Sequence, residues 1–80
     1  MYEYTLVETV EGPETYERTE PWEIGRYISF LAARAALGML SGTGGFSKVV
    51  YDDRNDVHFI YRKFGRYGEM REYIKIVHLP

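Results

Sequence analysis

PWEIGRYISFLAARAALGML, residues 21–40, is the one long run in this chain with helical character. It holds four alanines and three leucines and has no β-branched run, a composition that favours helix. Thr19 stands ready as an N-cap, and Pro21 in the first turn forfeits no helical hydrogen bond. Glu20 and Glu23 suit the positive end of the dipole. The run ends at SGTGG, where Gly42 can take the left-handed position beyond the last turn. At helical spacing, Ile24, Tyr27, Ile28, Leu31, Ala32, Ala35 and Met39 gather on one face, which is expected to pack on the rest of the fold. The other side carries Trp22, Phe30, Ala33, Leu37 and Leu40 among Glu23, Arg26, Ser29 and Arg34. That is more apolar than a solvated helix back needs to be. It marks Trp22, Arg26, Phe30, Arg34 and Leu37 as a candidate protein interface, with the arginines as its polar rim.

Outward from this helix the chain reads as β-structure. Residues 1–10 alternate as a strand without a cleanly apolar face. EGPETYERTE, residues 11–20, reads as a solvated connection turned at Gly12-Pro13 and anchored by Tyr16. After a flexible 41–45 link come strands over 46–52, 57–64 and 70–79, separated by turns at 53–56 and 65–68, which is the pattern of an antiparallel meander. The alternation puts Val57, Phe59, Tyr61 and Lys63 on one side of their strand and His58, Ile60, Arg62 and Phe64 on the other. The expected fold is α+β in the order β-α-β-β-β, one long helix on a four-stranded, mostly antiparallel sheet. A helix of about 20 residues and strands of eight to ten both span about 30 Å, so one can cover the other. Strand one fits beside strand two or strand four.

Eighty residues make a single domain with a thin margin of stability. There is no cysteine, which excludes disulfides and cysteine-ligated zinc. No apolar run is long enough to cross a bilayer and no signal peptide is evident, so a cytoplasmic protein without membrane contact is expected. The net charge of −2 is uneven. Residues 1–45 hold three arginines against seven glutamates, whereas residues 46–80 hold seven basic against five acidic groups. Eight tyrosines suit strands and half-buried interfaces alike.

Motifs with chemistry are lacking. Gly42, Gly44 and Gly45 follow a helix and precede a strand, the reverse of a phosphate loop, and Lys48 falls too late and before Val49. Asp52, Asp53, Asn55 and Asp56 do not keep the alternate spacing of a calcium loop. His58 and His78 have no adjacent carboxylate pair to define a zinc site, and Ser29, Ser41 and Ser47 sit in no local triad. No catalytic residue, metal or cofactor is therefore expected, and an enzyme is not. The alternative to protein binding is nucleic acid, held by Lys48, Arg62, Lys63, Arg66, Arg71 and Lys75, with Tyr61, Tyr67 and Tyr73 as stacking rings. In size, acidity and lack of chemistry the chain resembles the small accessory proteins with which phages and mobile elements block or redirect host machinery. The resemblance implies an inhibitor or regulator that occludes a larger protein in the host cytoplasm, and it carries no residue over. Its expected partner is another protein or a second copy of itself.

Overall fold

A computed structural model describes every residue except 13–18. Its elements are β1 (Tyr4–Glu11), β2 (Thr19–Tyr27), α1 (Phe30–Leu40), β3 (Val50–Asp52), β4 (Val57–Phe64) and β5 (Met70–His78), with a 3₁₀ turn, Arg66–Gly68, before β5. The strands form one antiparallel sheet in the order β2-β1-β5-β4-β3. The α+β class and the single helix on an antiparallel sheet stand as expected. The strand count and order do not: the described residues form five strands, in the order β-β-α-β-β-β.

The difference lies at residues 19–27. These form β2, not the first half of the helix. Trp22, Ile24 and Tyr27 are good strand formers, and Gly25 costs about 1 kcal/mol inside a helix. In β2 that glycine has a use. A Cβ placed on it would stand 3.1 Å from the Tyr27 hydroxyl, so the ring occupies the space a side chain would take. Its carbonyl accepts from the buried Thr5 hydroxyl at 2.8 Å. The register slips between Leu6 and Val7, where Leu6 faces Gly25 and Val7 faces Glu23. Pro21 and this irregularity both fit the outer strand of a sheet. Thr19, expected as the N-cap, instead opens β2. The true cap is Ser29, whose Oγ accepts from the Ala32 amide at 3.1 Å. Most of the expected 11–20 connection, Tyr16 included, lies outside the described residues.

Starting α1 at Phe30 also turns it over. Ala33 and Leu37 are buried against Leu6, Ile60, Ile74 and Ile76, and Phe30, Ala36 and Leu40 pack around them. The face expected to be core, Leu31, Ala35 and Met39, is exposed instead, and so are Ile24 and Ile28 just before the helix. Tyr27 alone of the large expected core residues packs on the core. Each buried leucine or isoleucine contributes about 1.5–3 kcal/mol.

The link after α1 is tied down rather than loose. Gly42 takes φ 71°, as expected. The Ser41 amide donates to the Leu37 carbonyl, the Thr43 hydroxyl to that of Leu40, and the Ser47 amide to that of Tyr61. Residues 46–49 were expected to start a strand, but the strand there is only Val50–Asp52, because Phe46 and Val49 turn in to pack on the core.

Candidate functional site

The register sorts the side chains onto two faces. On the α1 side lie Tyr4, Leu6 and Glu8 of β1, His78, Ile76, Ile74 and Glu72 of β5, and His58, Ile60 and Arg62 of β4. At about 16 Å, an 11-residue helix covers only part of strands nearly twice as long. It sits over the isoleucines and Leu6. Beyond it the same face turns polar. The Arg62 Nε lies 2.7 Å from the Glu72 Oε1, and its Nη1 donates to the Gly44 carbonyl at 2.8 Å. The Arg62 guanidinium stacks 4.2 Å over the Phe46 ring. Glu72 is buried, and Glu8 hydrogen-bonds to it. Lost hydration, that hydrogen bond and the charge of Glu72 push the Glu8 carboxyl up from 4.5 to about 7, against the pull of Arg62. Arg62, expected among nucleic-acid contacts, is thus a structural tether between β4, β5 and the post-helix loop.

At the other end of this face the strands bring the two histidines together. His58, His78, Tyr4, Phe30 and Asp56 line a hollow of about 420 Å³. The Tyr4 ring lies tilted against His78 at 4.9 Å and Tyr51 tilted against His58 at 4.5 Å, while Phe30 meets His58 edge-on at 5.0 Å between centroids. Asp56 accepts from the Tyr51 hydroxyl at 2.9 Å, and Asp52 accepts from the amides and side chain of its own turn. Among the described residues no three histidine, aspartate or glutamate side chains are close enough to share a metal ion. The β4–β5 register, continued one residue beyond the Phe59–Lys75 pair, sets His58 beside Ile76, two residues from His78.

The residues expected to form a protein interface are dispersed. Leu37 is buried, and Phe30 is half-buried, edge-on to Tyr4 with ring centroids 5.8 Å apart. Trp22 lies on β2 opposite Glu8, and Arg26 pairs with Glu23 at 2.8 Å. Only Arg34 stays on the free side of α1, its guanidinium 3.1 Å from where a Cβ on Gly38 would stand. No protein-family model, curated protein or solved structure matches the chain. The candidate sites therefore stand on geometry alone. The helix carries an apolar outer face: Leu31 is 78% exposed and Met39 81%, with Ala35 between them, and Ile28, just before the helix, is 66% exposed. Arg34 is the one charge in α1.

The opposite sheet face, which no described element covers, gathers five of the nine expected nucleic-acid contacts. Tyr61 and Lys63 of β4 and Arg71, Tyr73 and Lys75 of β5 share it with Phe59. Of the others, Lys48 is exposed before β3, and Arg66 and Tyr67 occupy the 3₁₀ turn.

Proposed function

We propose that this chain is a non-catalytic interaction module that covers an apolar surface of another protein with the outer face of α1. The observation that carries this reading is Leu31, Ala35 and Met39 exposed in one row, extended by Ile28, on a helix whose single charge is Arg34. Side chains four apart stand above one another on a helix, so the row is continuous. Soluble monomers rarely leave such a patch free.

A heterologous partner fits better than a second copy. Twofold packing of α1 about Ala35 would bring Arg34 next to its own copy, and like charges at a dry contact are unfavourable. A carboxylate on another protein, set beside an apolar groove, complements Arg34. The module acts by occlusion, in the manner of a small inhibitor or regulator. The cytoplasm is its proposed compartment, since a cysteine-free chain draws nothing from an oxidising one.

Leu31→Glu and Met39→Glu test this reading, because surface substitutions leave stability within about 0.5 kcal/mol. The wild type should sediment as a monomer. A partner it captures should be lost by both variants and retained by Lys48→Glu. A wild-type dimer that Leu31→Glu dissociates overturns the heterologous assignment. Partner capture unaffected by either helix substitution overturns the use of this face.

A further inference from the structure

The sheet face away from α1 is a second surface, and its chemistry differs from that of the helix stripe. Phe59, Tyr61 and Tyr73 form a triangle of rings with centroids 6.1 to 6.3 Å apart. Tyr61 stands at the exposed end, and Phe59 and Tyr73 are half-buried. Two shallow hollows meet over these rings. One, of about 270 Å³, is lined by all three rings with Lys63 and Arg71. The other, of about 370 Å³, shares Phe59 and Tyr73, reaches Lys75 and Thr9, and ends on the carboxylates of Glu11 and Asp52.

The cations here are arranged against local stability. Lys63 and Arg71 are direct cross-strand partners, and like charges at such positions repel. Among the described ion pairs neither takes part, and nor does Lys75. Glu11 is the cross-strand neighbour of Arg71 on the β1 side but makes no ion pair with it. At the far end of the same row, where Val7 faces both Glu23 and Lys75, Glu23 is taken up by Arg26 at 2.8 Å. Three cations outside the described ion pairs border three rings, with the carboxylates at the far edge, and the Lys63–Arg71 end forms a surface suited to a polyanion that carries flat groups. Single-stranded nucleic acid has that chemistry. Its unstacked bases lie on aromatic faces while lysine and arginine hold the phosphates.

We propose that this sheet face binds single-stranded nucleic acid, with Tyr61, Tyr73 and Phe59 stacking bases and Lys63, Arg71 and Lys75 contacting phosphates. The site is small, suited to two or three nucleotides. A duplex is a poor fit, because its bases are already stacked on one another and closed to the rings. The inference rests on the sheet face alone and stands or falls separately from the helix stripe.

Fluorescence anisotropy with a labelled single-stranded oligonucleotide of about a dozen mixed nucleotides, as DNA and as RNA, tests it, with the matching duplex as comparison. Three phosphate contacts on a single strand give a salt slope near 2, so binding should weaken about twentyfold between roughly 50 and 200 mM salt. Tyr61→Ala should weaken binding about fivefold or more through lost stacking. Lys63→Ala should weaken it and lower the salt slope by about 0.7, while folding is unimpaired because a like-charge pair is relieved. Arg54→Ala, in the β3–β4 turn, should change nothing. Absence of binding at low salt overturns the proposal. So does preference for the duplex, a loss with Arg54→Ala equal to that with Lys63→Ala, or binding indifferent to Tyr61→Ala. Each of those outcomes reassigns the face to non-specific charge or to another class of partner.

Discussion

At the scale of single residues, the Glu8–Glu72–Arg62 group decides most. Glu72 is buried and, among the described residues, its charge is answered by the Arg62 guanidinium. Arg62→Ala should therefore destabilise the fold by about 3 kcal/mol, since it strands a buried carboxylate; urea unfolding would measure it. Glu8 makes the stability depend on pH in a direction unusual for a carboxylate. Its folded pKa is raised from 4.5 to about 7, so between those values the folded state holds a proton that the unfolded chain has released. Its contribution is complete at the acid end of that window and is lost as pH rises through about 7. Because Glu8 is only half-buried, the loss should be about 1 kcal/mol, or several degrees in Tm. Thermal melts at about pH 5 and about pH 8 should show wild type less stable at the higher pH and Glu8→Gln level across the range. A wild type that gains stability over that interval would contradict the raised pKa. None of this was legible in the sequence. Glu8, Arg62 and Glu72 are far apart along the chain and meet only through the β1–β5 and β4–β5 registers.

At the scale of elements, α1 and β2 hold the main lesson. The meander was readable because polar and glycine turns at 53–56 and 65–68 bracket runs that alternate cleanly, and alternation alone placed Phe59, Tyr61 and Lys63 on one side. The helix face was not readable. Ile24, Tyr27 and Ile28 match helical spacing with Leu31 and Ala35, so a strand and a helix merged into one apparent stripe. The true helix, FLAARAALGML, has one charge and no polar back, so its own pattern does not choose a side. The corrected face has a sharp consequence for mutation. Leu37→Ala should cost about 2–5 kcal/mol by opening a cavity, whereas Leu31→Ala should change stability by less than about 0.5 kcal/mol. Ser29→Ala should cost about 1 kcal/mol through the lost cap. Chemical denaturation of the three variants distinguishes these, and a large loss at Leu31 would mean that its face is packed after all.

At the scale of the whole molecule, the two proposed surfaces lie on opposite layers, helix outside and sheet outside, with the core of Leu6, Ala33, Leu37, Ile60, Ile74 and Ile76 between them. Substitutions on the two surfaces should therefore act independently: Leu31→Glu with Tyr61→Ala should show each single loss unchanged, within about 0.5 kcal/mol of additivity. The pairing of β1 with β5 bears on how fast this architecture is reached. Tyr4 meets His78, so the central seam of the sheet joins segments separated by nearly the full length of the chain. The β4–β5 hairpin closes over a turn of a few residues; the β1–β5 seam closes a loop of roughly seventy, at an entropic cost about 2 kcal/mol greater. Formation should then start in residues 57–78 and end with the docking of β1 and β2, at the millisecond-to-second pace of non-local sheets. Tyr67, held at φ 67° in the turn, gives a handle on the early step. Tyr67→Gly relieves about 1 kcal/mol of left-handed strain, and stopped-flow refolding should show it mainly as faster folding, whereas Thr5→Val, which removes the β1–β2 hydrogen bond, should show mainly as faster unfolding.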